Sequence, residues 1–209
     1  MQIRRAVVGV FQENCYIVSD DEGETFLIDP GDEEDRLLAV IEQHQLRVRL
    51  IANTHSHADH ILAIAPIMRA TGCEFVMTAE EDAFLRSRPP TSNAFITVRE
   101  LPPPPTRTVA DGDLIAVGAF RLRVLFTPGH TPGGACYYDE ANKVVYTGDT
   151  LFQSSIGRTD FPGGNTAQLL TSIRDKLLTL PDDVTILPGH GDPSTIGRER
   201  RFNPFLRGL

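Results

Sequence analysis

Short apolar runs separated by polar turns open the chain. AVVGVF (6–11), CYIVS (15–19) and TFLID (25–29) have the length and β-branched content of strands and predict a meander. The period then changes. In DEEDRLLAVIEQHQ (32–45), Leu37, Leu38, Val40 and Ile41 are spaced for one buried helix face, behind acids that suit a helix N-terminus. RVRLIAN (47–53) reads as strand. ILAIAPIMRATG (61–72) reads as a helix stopped by Gly72, with Pro66 marking a kink or a shifted start, and EFVMT (74–78) as strand again.

LPPPPTRT (101–108) suits neither a helix nor a central strand and predicts a polyproline II connector between two halves. Beyond it, LIAVGAFRLRVLFT (114–127) alternates like a hairpin around Gly118, and GACYYD (134–139) with KVVYT (143–147) predicts another. TAQLLTSIRDKLLTL (166–180) is an amphipathic helix and VTILP (184–188) a last strand. No repeat of fixed period, low-complexity tract or phosphate loop interrupts this order. Strands alternating with helices predict α/β architecture, two sheets faced by helices, in a single domain over 1–209 made of two similar halves joined near 101–108.

Composition narrows the function classes. Acidic residues outnumber basic ones, 28 to 20, which argues against a nucleic-acid partner. Cys15, Cys73 and Cys136 are few and far apart, with no C-x-x-C pair, so neither a disulfide framework nor a thiolate zinc site is expected, and a cytoplasmic location is. The first apolar run is short for a secretion signal, and no segment has the roughly 18 apolar residues of a membrane helix, so no membrane role is expected.

Histidine changes the picture most. Of six histidines, His55, His57 and His60 fall within LIANTHSHADHI (50–61), where neither core packing nor a solvated loop would ask for them. Imidazole and carboxylate together suit zinc or iron. Three more ligand-type residues follow apolar runs in the same way: His130 in TPGH after RLRVLF, Asp149 in TGD after KVVY, and His190 in LPGH after VTI. Strand exits along one sheet edge lie close in space, so the four exits could bring seven donors together, enough for two metals. His55 and His57, two apart in extended chain, project the same way, whereas Asp59 and His60 begin a turn and can point to a second centre.

T-H-S-H-A-D-H resembles the H-x-H-x-D-H motif of the metallo-β-lactamase fold superfamily. The order IDPG, histidine motif, PGHTPG, TGDTLF, PGHG resembles that superfamily along nearly the whole chain, and GRTDFPGG (157–164) with GRERRFNPF (197–205) looks like its short glyoxalase II-like, hydroxyacylglutathione hydrolase-related branch. The resemblance implies an αββα sandwich. It also implies one metal held by His55, His57 and His130, a second by Asp59, His60 and His190, and Asp149 as the bridge. Two divalent ions are implied, zinc first, with iron or manganese as alternatives. Full-length glyoxalase II enzymes continue into a glutathione-binding helical domain, whereas 19 residues follow His190 here.

The implied activity is hydrolysis of a hydroxyacyl thioester, S-lactoylglutathione or a relative, by hydroxide held between two cations. In this reading Asp59 and Asp149 are the catalytic carboxylates, Asp59 orienting the hydroxide or accepting its proton. Phe152 and Phe161 would wall the substrate pocket. Arg158 would receive a substrate carboxylate or instead pair with Asp160 within the loop. Asp29 is expected to support a turn or a ligand, and His44 to face solvent. The alternatives are a mononuclear iron enzyme resembling persulfide dioxygenases, a lactone or other ester hydrolase on the same fold, and a metal-stapled binding module. Seven donors against the four of a closed structural site argue against the last. The partner is a small-molecule thioester, and the oligomeric state is left open.

Overall fold

The computed structural model describes residues 1–209. The first sheet has the order β1-β2-β3-β4-β5-β6, built from β1 Gln2–Val8, β2 Glu13–Ser19, β3 Glu24–Ile28, β4 Arg47–Ala52, β5 Glu74–Thr78 and β6 Arg107–Val109. β1, β2 and β3 pair antiparallel as a meander, and β3 to β6 run parallel. The parallel strands require crossovers, which α1 Glu34–Gln43 and α2 Ile64–Thr71 supply. The second sheet, completed by β14 Ser194–Thr195, holds β7 Leu114–Val117, β8 Phe120–Phe126, β9 Ala135–Asp139, β10 Val144–Gly148 and β13 Thr185–Pro188; β11 Leu151–Phe152 and β12 Ser155–Ile156 make a separate small hairpin.

Alternation explains how the layers stack. In β8, Phe120, Leu122 and Val124 point inward while Arg121 and Arg123 are exposed. They join Tyr16, Phe26, Ile28, Leu50 and Val76 in a core between the sheets. A second core lies under α1 and α2, where Leu37, Ile41, Ile64 and Ile67 meet Ile17, Leu27, Ile51 and Phe75. A third lies under α4 Thr166–Ser172, the π-helical turn Ile173–Leu177 that follows it, and α5 Ile196–Phe202, against Leu125, Val145 and Ile186. Helix, sheet, sheet, helix is the αββα sandwich expected.

Several boundaries differ from the sequence pattern. Val10 and Phe11 lie in the turn after β1, 64% and 47% exposed, because the chain reverses at Gly9–Gln12. Pro66 lies in the first turn of α2, so it shifts the helix start rather than kinking it. Arg107 and Thr108, expected in the connector, pair with β5, and the chain passes between sheets after Val109. α3 Ala79–Ser87 has no counterpart in the pattern, because in AEEDAFLRS only Leu85 and the acid Glu81 are buried, which makes no apolar stripe.

Candidate metal centre

The four exits do meet, but not along one sheet edge. β4 leaves the first sheet, whereas β8, β10 and β13 leave the second, so the donors converge across the seam of the sandwich. Hydrogen bonds close that seam beside them. Tyr137 on β9 donates to the Asn53 carbonyl at 2.8 Å, Ala135 N donates to Thr54 O at 2.9 Å, and Tyr16 on β2 donates to Pro188 O at 2.8 Å.

On one side, His57 Nδ1 lies 3.1 Å from His55 Nε2 and 2.9 Å from His130 Nε2. On the other, His190 Nε2 lies 3.3 Å from Asp59 Oδ2, and His60 Nε2 lies 3.9 Å from the same oxygen. Asp149 stands between. Its Oδ2 is 3.6 Å from His130 Nε2, and its Oδ1 is 3.6 Å from His60 Nε2 and 3.7 Å from His190 Nε2. All seven residues singled out in the sequence are therefore together, in two groups that share one carboxylate.

The far side of each ring is committed. His60 Nδ1 donates to Asp29 Oδ2 at 3.0 Å, His130 Nδ1 to Arg158 O at 2.7 Å, and His190 Nδ1 to Phe11 O at 3.1 Å. Thr54 Oγ1–H donates to Asp29 Oδ2, which leaves Thr54 Oγ1 to accept from His55 Nδ1 at 3.0 Å. When neutral, these four imidazoles thus carry their proton on Nδ1 and aim the Nε2 lone pair inward. His57 Nδ1 can donate a proton to only one of the two Nε2 lone pairs that face it, whereas a cation among the three rings would satisfy all of them. His60 Nε2 and Asp149 Oδ1 are buried without any partner, which a second cation would relieve. Nitrogen and carboxylate donors of this kind fit zinc, iron or manganese.

Electrostatics divides the two groups. Burial, followed by the neighbouring imidazoles, holds His55 well below the usual 6.5 and brings His57 down to about 3. Burial would also lower His60, but the carboxylates of Asp149, Asp59 and Asp29 outweigh it and raise it to about 9. His190 is raised as well, its burial outweighed by Asp59 and Asp149. Burial works against the Asp59 carboxylate, yet His60 and His190 hold it below the usual range. Behind His60, fully buried Glu13 has both oxygens unpartnered; burial, then Asp29, Asp59 and Asp149, push it well up.

One support carries no signal in the sequence. Glu81 on α3 is fully buried; its Oε1 accepts from Ser56 N and Oγ, between His55 and His57, and its Oε2 accepts from Thr131 Oγ1 and Gly133 N, just after His130. One carboxylate thereby ties together the two loops that bring the three histidines. Asp29, expected as a support, also accepts from Asn53 Nδ2 and Thr54 N. Its position after a strand carried that signal, whereas an acid among AEED carries none.

The loop 157–164 borders the centre. Phe161 lies 5.9 Å from His57 and Phe152 6.4 Å from His190, ring centroid to centroid. Arg158 Nε and Nη2 both engage Asp160, at 2.8 and 2.7 Å, and the guanidinium lies 3.7 Å above the Phe161 ring. Of the two arrangements open for Arg158, the internal pair is the one present. His44 caps α1 in an exposed position, away from the donors.

This fold and a split donor set sharing one aspartate define a class. The chain belongs to the metallo-β-lactamase superfamily, whose family model matches residues 8–190. Among curated relatives, it is 41% identical to "Hydroxyacylglutathione hydrolase GloC" of Haemophilus influenzae, over 99% of this chain and 98% of that one. Among solved structures, it is similar to the BLEG-1 B3 metallo-β-lactamase, with TM-score 0.90 and 33% identity over 99% and 100% of the two chains. It is also similar to TTHA1623 in a di-iron-bound form, with TM-score 0.88 and 36% identity over 97% and 100%.

Proposed function

We propose that this protein is a dinuclear metallohydrolase that cleaves a hydroxyacyl thioester, S-lactoylglutathione or a related thiol ester. The observation that carries the reading is the placement of Asp149 between two donor groups, with His60 Nε2 and Asp149 Oδ1 buried and unpartnered. The hydrolase named among its relatives supports the substrate class.

His55, His57 and His130 would hold one cation, Asp59, His60 and His190 the other, and Asp149 both. When bound, two divalent cations bring the pKa of a water toward about 7 and steady negative charge on a carbonyl oxygen and a departing thiolate. The chain's own work is to orient and enclose. Asp29, Thr54 and the carbonyls of Phe11 and Arg158 fix the tautomers of four rings before any ligand arrives. The Asp59 carboxylate reaches His190 and orients the attacking water by accepting its hydrogen bond. Phe152 and Phe161 wall the two sides of the centre and keep bulk water from the reacting carbonyl.

No side chain is poised as a covalent nucleophile. Ser56 Oγ donates to Glu81, and the three cysteines are buried away from solvent. Direct attack by water follows.

The test joins elemental analysis of freshly purified protein to a thioester panel assayed with and without oxygen. About two metals per chain, with turnover independent of oxygen and abolished by chelation, are expected. One iron per chain with oxygen consumption would instead indicate an oxygenase and overturn the hydrolytic reading. Zinc is the first metal to try; the di-iron-bound relative makes iron the second.

A further inference from the structure

Beside His57, away from the His190 side, lies a pocket of about 220 Å³. Phe84, Pro90, Phe161 and Pro162 give it apolar walls, and Arg88 supplies its one charge. Arg88 follows the last turn of α3 and is exposed; its backbone N–H bonds to Phe84 O, but its guanidinium makes no hydrogen bond and no ion pair. Among the arginines only Arg207, near the chain end, is equally free. The contrast with Arg158 on the same rim matters, because Asp160 already occupies its donors. No acid lines the pocket.

We infer that this pocket binds a carboxylate-bearing arm of the thioester, with Arg88 as the residue that receives the carboxylate. The inference rests on the thioesterase reading and sharpens it. A volume of about 220 Å³ is smaller than the ~300 Å³ at which pockets begin to enclose a whole drug-sized ligand, so an arm fits and the rest of the substrate lies across the metal centre. The walls favour the methylene groups of the arm. A planar guanidinium with unused donors matches a carboxylate through two parallel hydrogen bonds.

Binding and turnover separate this inference from the reading beneath it. Calorimetry on the metal-loaded protein would compare S-hexylglutathione, which cannot be hydrolysed as a thioester, with its diethyl ester. The expected preference for the free acid is about tenfold or more, falling to within about twofold in Arg88→Ala and staying intermediate in Arg88→Lys. For S-lactoylglutathione, Arg88→Ala should raise KM about tenfold with the loss falling on KM rather than kcat. Metal content and Tm of the variants report that the exposed substitution leaves the fold intact. A wild-type protein indifferent to the carboxylate, or a preference that survives in Arg88→Ala, would overturn the inference even if thioesters are cleaved. Absence of any thioester cleavage alongside an Arg88-dependent preference would sink the thioesterase reading and leave the arm-binding role standing.

Discussion

Glu81 accepts four hydrogen bonds away from water, two from the loop of His55 and His57 and two from the loop of His130. Glu81→Gln keeps the shape but turns two acceptor sites into a donor that faces donors. We expect a cost of roughly 2–3 kcal/mol in chemical denaturation. We also expect the His55, His57 and His130 site to lose about 10- to 100-fold in metal affinity, with the other site retained. Cobalt titration followed by absorption distinguishes the two sites; equal weakening of both would show that Glu81 is a general brace and not a spacer between the two loops. The seven donors were legible in the sequence because histidine is rare here and each donor follows a strand and, in three cases, a glycine. Glu81 was illegible for the opposite reason: among Glu80, Glu81 and Asp82 nothing local marks which acid turns inward. Arg158 was half legible, since GRTDF shows that arginine and aspartate stand two apart but not that they close on each other.

Elements were readable where a face is continuously apolar and unreadable where burial comes from the fold. α1 shows its stripe in Leu37 and Ile41, whereas α3 and α5 are short and charged, and tertiary contacts decide them. β6 hides behind four prolines, because only its pairing with β5 makes Arg107–Val109 a strand. The end of β10 is the most constrained of these elements. Its register with β13 shifts between Tyr146 and Gly148, and Gly148 sits at φ +47 with Thr54 Oγ1 only 2.2 Å from where a Cβ would be. Since that hydroxyl links His55 to Asp29, Gly148→Ala should both strain the backbone and displace the ring. A loss of at least about 2 kcal/mol, with weaker metal retention, is expected from denaturation and elemental analysis. Unchanged metal content in a destabilised Gly148→Ala protein would separate the strand's strain from the ring's position.

At the scale of the whole molecule, the centre should control how stability follows pH. In metal-free protein, His60 titrates near 9 when folded and near 6.5 when unfolded, so the folded state binds the extra proton between those values. Stability from this source is complete below 6.5 and is lost as pH rises through 9; His190, raised for the same reason, acts in the same direction. His57 acts oppositely. Its folded pKa of about 3 means the unfolded chain takes the proton first, so stability falls as pH drops from 6.5 toward 3. Thermal melts of the chelated protein should therefore be highest near neutrality and decline on both sides. The loaded protein should melt higher and lose its alkaline decline, because cations bound only by the folded state stabilise it by mass action. A chelated protein whose Tm is flat from pH 6.5 to 9 would contradict this account of His60.

The donors come from both sheets, with Tyr137, Ala135 and Tyr16 fastening the strands beside them. Neither half of the chain owns a complete ligand set, because the part up to Val109 carries four of the seven donors and the part from Leu114 carries the other three. Ions held by donors from both sheets therefore act as a clasp across the seam, so their removal by a chelator should quicken hydrogen exchange at Ala135 N, whose bond to Thr54 O crosses it.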